Sequence, residues 1–248
     1  MTEKQDLSAQ FANIGSATVS DALDKLAIPG QLPDTIKPLT HYKTPTVGPA
    51  YTVRYVPASD PPGTTGDFID DVAAGDVVVI DNDGRTDCTV WGDIMTQYAG
   101  LRGIAATVIH GACRDVDRAL SDGYPVFSAG RYMRTGKDRV QVAETGGVVA
   151  VGGVRVDHGD IVVADGDGVV VVPRGRARDV LDVARAIEKS EQAIRDMIVD
   201  GLTSLAEARA RLNYHSLQRR RERTTTATTA TTTTTTTTSE EEKMEDRA

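Results

Sequence analysis

Residues 91–115 read WGDIMTQYAGLRGIAATVIHGACRD, and the order of signals within them decides the fold. The Trp-Gly-Asp start and Gly100 predict a short helix over 93–101, the apolar run 104–109 predicts a strand, and after His110, Gly111, Ala112 and Cys113 a second helix begins near Asp115. Helices alternating with a fully apolar strand mark an α/β layer around a partly parallel sheet. In such units function sits on loops at the carboxyl ends of the strands. Asp93, Arg114 and Asp115 are therefore expected at one crevice although they are far apart in sequence.

Working outward, VVVI at 77–80 is a buried-type strand closed by the turn residues Asp81, Asn82, Asp83 and Gly84, and GPAYTVRYV at 48–56 is an earlier strand. Residues 57–66 read as a loop, and Pro29, Pro33, Pro38 and Pro45 break regular structure over 28–48. A helix or helix pair is expected over 6–27, where Phe11, Ile14, Val19, Ala22, Leu23 and Leu26 recur near the helical period, with Ser20 and Asp21 either capping it or facing a site. Downstream, the Val-rich runs 140–142, 148–151, 160–164 and 168–172 predict strands, ended by Pro173. Val180, Val183, Ile187, Ile194 and Ile198 then give a terminal helix pair from Ala177 to about Leu212, broken once at Gly201. Beyond Leu217 come a basic run, near-pure threonine and a charged end, too poor in apolar surface to offset chain entropy. The chain thus divides into a folded domain, 1–217, and a tail expected to be disordered, 218–248.

The formal charge of −8 belongs to the folded part, because residues 219–248 hold six basic and six acidic side chains. An acidic body disfavours nucleic acid as a partner but leaves room for a local cationic pocket. Cys88 and Cys113 are the only cysteines, and Cys113, between a strand and an Arg-Asp pair, is poorly placed for a disulfide, which fits a reducing cytoplasm. The start MTEKQDLSAQFANIG lacks a basic segment followed by an apolar core, and no apolar run approaches the roughly 20 residues of a membrane helix. A soluble, unexported protein with no membrane partner is expected.

At the start of the 93–101 helix the amides of Ile94 and Met95 point outward with the positive end of the helix dipole, suited to a carboxylate. Arg114 can grip the same anion with its planar fork. Asp115 can supply a hard oxygen to Mg²⁺ or another divalent metal such as Mn²⁺, with Asp93 steering its waters. Those parts suit a 2-oxo acid whose carbon-carbon cleavage leaves an enolate, and no histidine is required. The same residues also read as an ordinary N-cap, Asp93, and a surface turn pair, Arg114 and Asp115. Asp81, Asp83, Asp165 and Asp167 read as turn residues, and His41, His158 and His215 show no zinc-ligand spacing. Lys25, Lys37, Lys43, Lys137 and Lys189 lie in polar or proline-rich surroundings or beside charges, which argues against a Schiff-base aldolase.

An Asp, twenty intervening residues and then Arg-Asp, at Asp93 and Arg114-Asp115, resembles the motif of metal-dependent pyruvate aldolases. With GPAYTV, GDVVVIDNDG, GIAATVIHGACRD and GDIVVADGDGVVVVP, the chain resembles the RraA-like, 4-hydroxy-4-methyl-2-oxoglutarate aldolase superfamily over roughly residues 15–200. The resemblance implies a compact αββα sandwich of the swivelling β/β/α type with C-terminal helices, assembled as a homotrimer or homohexamer. It also implies Arg114 on the pyruvyl group, Asp115 on the metal, Asp93 on the metal's water shell, and Ile94 and Met95 as backbone donors. The implied substrates are 4-hydroxy-4-methyl-2-oxoglutarate and 4-carboxy-4-hydroxy-2-oxoadipate, with oxaloacetate decarboxylation alongside. The alternative within the same superfamily is a noncatalytic regulator that binds and inhibits a ribonuclease. Two positions depart from the pattern: Gly201 is followed by Leu202 where the aldolases carry Glu, and His110 stands where relatives often have Asp. His110 at a strand end reads as a packing or turn residue.

Overall fold

The structure, a computed structural model, describes residues 7–201 and 204–218. Beyond Gln218 the tail expected to be disordered lies outside the described residues, as does Leu202, the position after Gly201. A helical turn at 7–9 precedes helix α1 (Ser16–Lys25), and the two-residue strand β1 (Lys37–Pro38) is all the regular structure in the proline-rich stretch. Then follow β2 (Thr46–Pro57), a 3₁₀ turn (Asp67–Asp71), β3 (Val77–Asp81), α2 (Asp93–Arg102), β4 (Ala106–Cys113), α3 (Val116–Asp122) and β5 (Val126–Arg131). Strands β6 (Val140–Thr145), β7 (Val149–Val151), β8 (Val154–Val156), β9 (Ile161–Ala164) and β10 (Val169–Val172) lead to helices α4 (Ala177–Val199), α5 (Leu205–Arg211) and α6 (Tyr214–Gln218).

The eight-stranded sheet runs β1-β5-β4-β3-β2-β9-β10, with β6 also on β2 and a separate β7-β8 hairpin. Strands β2, β3, β4 and β5 are mutually parallel, whereas β9 and β10 join antiparallel. Alternation along the strands sorts side chains into layers. From β3, Val78 and Ile80 enter one cluster with Ala99 of α2 and Ala119 of α3, while Val77 and Val79 enter a central cluster. From β9 and β10, Val162, Ala164, Val169 and Val171 enter that same central cluster, while Ile161, Val163, Val170 and Val172 face Val19 and Leu23 of α1 and Val180, Ala184 and Ile187 of α4. The order is helix layer, sheet, sheet, helix layer, the expected αββα sandwich. Each fully buried valine or isoleucine in it contributes about 1.5–3 kcal/mol by leaving water.

Several boundaries differ from the sequence reading. Strand β4 runs on through His110 to Cys113, with a register irregularity between Ile109 and Ala112 that absorbs Gly111. Strands β5 and β8 have no counterpart in the sequence reading, because Tyr124-Pro125 and Gly152-Gly153 mask short strands as turns. After Gly201 the chain forms two short helices, not one, and Ser204 caps α5 in a capping box with Glu207.

Candidate active site

Helix α2 starts where β3 and β4 end, and buried side chains fix that corner. Trp91, 3% exposed, stacks on Tyr124 at 6.3 Å between ring centroids, and its indole N–H donates to Thr96 Oγ1 at 3.0 Å. Thr96 in turn donates to the Gly92 carbonyl at 2.9 Å, locking the first turn of α2. The Arg114 amide donates to the Trp91 carbonyl at 3.0 Å, so the chain leaving β4 is tied beside the helix start. Gly92 leaves room for the pair: a Cβ on it would lie 2.8 Å from Asp115 Oδ2 and 3.2 Å from Arg114 Nε.

The expected trio meets at this corner. Arg114 Nε lies 3.2 Å from Asp115 Oδ2, both side chains 40% exposed, and the same oxygen accepts from the Asp93 amide at 3.3 Å. Gly92 is the N-cap of α2, so the reading of Asp93 as the cap is corrected: Asp93 is the first helical residue, and its Oδ1 accepts from the Ile94 amide at 2.8 Å. The Ile94 amide, expected to donate to substrate, donates here to the exposed Asp93 side chain. Met95 stands in the same first turn with its side chain in the cavity wall. Asp115 adopts left-handed backbone, φ 55°, at the N-cap position of α3, yet its side chain makes no cap bond.

Among the described residues no group of three or more acidic, histidine or cysteine side chains is poised around a common metal position. The donor set nevertheless fits a hard divalent cation, which takes one or two carboxylates and fills its remaining positions with water and substrate oxygens. Asp93 uses Oδ1 and Asp115 uses Oδ2 within the protein, which leaves the second oxygen of each without a protein partner among the described residues.

A cavity of about 520 Å³ opens beside this corner. Its wall includes Asp93, Ile94, Met95 and Arg114 but not Asp115, which contacts Arg114 and the Asp93 amide. It also includes Asp67, Asp70, Tyr98 and Lys137, none of which the sequence singled out as site residues. Tyr98 was readable, one turn and a residue past Asp93 on the same helix. Asp67, Asp70 and Lys137 were not, because they arrive on irregular segments whose path only the folded chain defines. Lys137 lines the cavity, but it is exposed, without the apolar burial a Schiff-base lysine needs.

The competing turn readings hold. Asp83 N–H donates to Asp81 Oδ1, and Asp167 N–H to Asp165 Oδ1, both at 3.0 Å. His110 Nδ1 lies 3.2 Å from Asp81 Oδ1, and His110 is not part of the cavity wall. Cys88 and Cys113 are both buried and free; burial pushes the Cys113 thiol up, so it stays an inert thiol.

Comparison with known proteins bears on this corner. The RraA-like (Aldolase/RraA) family matches residues 16–171, which span α1 to β10 and contain Asp93, Arg114 and Asp115. The chain belongs to the RraA-like family. Protein DlpA of Legionella pneumophila is 43% identical over 208 residues, 82% of this chain, but the match spans only a third (33%) of DlpA's length. A Halalkalibacterium halodurans protein named "Putative 4-hydroxy-4-methyl-2-oxoglutarate aldolase" is 33% identical over 202 residues, 81% of this chain and 92% of the relative. The crystal structure of Streptomyces coelicolor RraAS2, described as an unusual member of the RNase ES inhibitor RraA protein family, superposes with a TM-score of 0.71 at 29% identity, covering 77% of this chain and 96% of RraAS2. The RraA-like family therefore joins aldolase-named and inhibitor-named proteins on one fold.

Proposed function

We propose that this RraA-like protein is a divalent-metal-dependent lyase that cleaves 4-hydroxy-4-methyl-2-oxoglutarate or a related 4-hydroxy-2-oxo acid to pyruvate, with oxaloacetate decarboxylation as a companion activity. The observation that carries it is the convergence of Arg114 Nε and the first amide of α2 on Asp115 Oδ2, each within 3.3 Å of it, beside a cavity of small-molecule size. Arg114 engages its own chain through Nε alone, so its two terminal nitrogens remain to hold the substrate carboxylate in a two-point grip. Asp115 would hold Mg²⁺ or Mn²⁺, Asp93 would order the water around it, and the bound cation supplies positive charge where cleavage leaves an enolate. Trp91, Val90 and Met95 exclude water from one side of the cavity and strengthen those electrostatic contacts.

The names of aldolase relatives support a lyase, and the exposed Ile94 (79%) and Leu101 (80%), on one face of α2 beside the cavity, support assembly as a homotrimer or homohexamer. The two free cysteines support a cytoplasmic location. Among the described residues no helix is long and apolar enough to cross a membrane.

The test is pyruvate release from 4-hydroxy-4-methyl-2-oxoglutarate and from oxaloacetate, with Mg²⁺ and with excess chelator. Metal-dependent pyruvate from either acid, lost on Asp115→Ala, is the expected result. No pyruvate from any 4-hydroxy-2-oxo acid or oxaloacetate, together with binding to a ribonuclease, would move the assignment to the noncatalytic regulator, the reading favoured by the RraAS2 likeness.

A further inference from the structure

We infer that the cavity selects 4-hydroxy-2-oxo acids whose far end is hydroxylated and uncharged rather than a second carboxylate, with Asp70 and Tyr98 reading that end. This rests on the lyase reading above and names the substrate class for the same site.

The cavity is electrically polar. Thr89 bridges Ala112 on one side and Thr135 on the other. Arg114 and Lys137, each two residues beyond one of those bridges, therefore enter the cavity on either side of the Val90-Trp91 segment. They are the two cations of the wall, and Arg114, tied to the start of α2, marks where the 2-oxo acid head belongs.

Farther along α2 the wall carries acceptors. Tyr98 lies five residues after Asp93 on α2, roughly 7.5 Å farther along the helix axis. Its hydroxyl donates to Asp70 Oδ1 at 2.5 Å and accepts from Arg102 at 3.3 Å. Arg102 spends its other contacts on the Asp70 and Val72 carbonyls, at 3.0 and 3.3 Å, and on the face of the Tyr98 ring, at 5.7 Å, and it does not line the cavity. The Tyr98 proton is thus committed, and what Tyr98 and Asp70 offer to a ligand is lone pairs. Asp67, from the same 3₁₀ turn as Asp70, adds a second carboxylate to that wall. A substrate carboxylate there meets acceptors and like charge, whereas a hydroxyl donates to them.

The chemistry balances without another reactant. The C3–C4 bond breaks, the C4 hydroxyl gives up its proton as C4 becomes an aldehyde carbonyl, and the enolate takes a proton at C3 to become pyruvate. A hydroxyl on C5 leaves with the aldehyde and is the group that Asp70 and Tyr98 hold.

The experiment compares 4,5-dihydroxy-2-oxopentanoate with 4-hydroxy-4-methyl-2-oxoglutarate on the full chain with Mg²⁺, following pyruvate by proton NMR. The dihydroxy acid is expected to show a kcat/KM at least about tenfold higher, within the range a site built around a substrate hydroxyl reaches. Asp70→Asn, on an exposed side chain, and Tyr98→Phe are expected to shrink that ratio, and Asp70→Lys to invert it. Equal or better turnover of the dicarboxylate by the parent overturns the inference while leaving the lyase reading intact. A ratio unmoved by all three substitutions, in variants with parental circular dichroism, overturns the roles of Asp70 and Tyr98. No pyruvate from either acid or from oxaloacetate removes the lyase reading and this inference with it.

Discussion

Asp165 and Asp115 each follow directly or nearly so on a strand and each stand at a helix start, yet the fold uses them in opposite ways. Asp165 accepts the Ser16 amide at 2.7 Å, the Ser16 hydroxyl at 2.6 Å and the Asp167 amide at 3.0 Å, so both oxygens close the start of α1 and the β9–β10 turn. Asp115 leaves α3 uncapped, holds φ at 55°, and turns one oxygen to Arg114 and the Asp93 amide. An unmade cap forgoes about 1 kcal/mol, and left-handed backbone at a non-glycine residue costs roughly 1–3 kcal/mol. The difference teaches where to look for function: a carboxylate that declines an available structural role while tolerating strain.

Breaking the pair at Asp115 has the largest expected effect. Asp115→Ala should lower kcat/KM for pyruvate release by about 10²- to 10³-fold, the scale of removing one group that stabilises transition-state charge. Urea unfolding should move by no more than about 1 kcal/mol, because no cap is lost. A fall below tenfold would return Asp115 to the structural class of Asp165.

Asp165→Ala should do the reverse. Leaving the Ser16 amide and hydroxyl without their acceptor should destabilise the fold by about 1–3 kcal/mol, read from urea unfolding, with kcat/KM unchanged. Altered catalysis at intact stability would dissolve the contrast.

Gly92→Ala sharpens it at smaller scale. The backbone there, φ −147°, suits alanine, but the new methyl would sit 2.8 Å from Asp115 Oδ2 and must displace it. A loss of about tenfold in kcat/KM is expected for a shift well under 1 Å at the site. Parental kinetics would show that the Arg114–Asp115 arrangement is not the working one.

The smallest effect concerns Asp160, a third strand-associated carboxylate. Burial raises its pKa, opposed by the amides of Arg174 and Asp157 that donate to it at 2.8 and 2.9 Å. The folded state thus holds this proton more tightly than the unfolded chain. Its stabilising contribution is full below the ordinary carboxylate range and is lost as pH rises through the raised folded value. As pH rises from the ordinary carboxylate range through the raised folded value the parent should lose stability relative to Asp160→Asn, read from urea midpoints. A relative gain over that window would contradict the burial.

Much of this fold was legible because its signals are local. The continuous apolar runs at Val77 to Ile80 and in β9 and β10 announce strands buried on both faces, and Val180, Ile187 and Ile194 announce the buried stripe of α4. Strand β5 was not legible, because Pro125 reads as a breaker until pairing with β4 and β1 supplies its partners. The Asp93, Arg114 and Asp115 juxtaposition followed from strand-helix-strand order. Their orientation did not: that Gly92 and not Asp93 caps α2, and that Asp115 turns to Arg114 and the Asp93 amide, depend on backbone angles set by packing around Trp91 and Tyr124.

By itself, the sequence determined the layered α/β plan, the family and the three residues at the corner, since periodicity, turn chemistry and a fixed spacing are properties of adjacent residues. Only the tertiary structure decided that Arg114 and Lys137 share one cavity with Asp67, Asp70 and Tyr98. Lys137, Asp67 and Asp70 reach it on segments with no period of their own, and long-range packing alone sets where those segments lie.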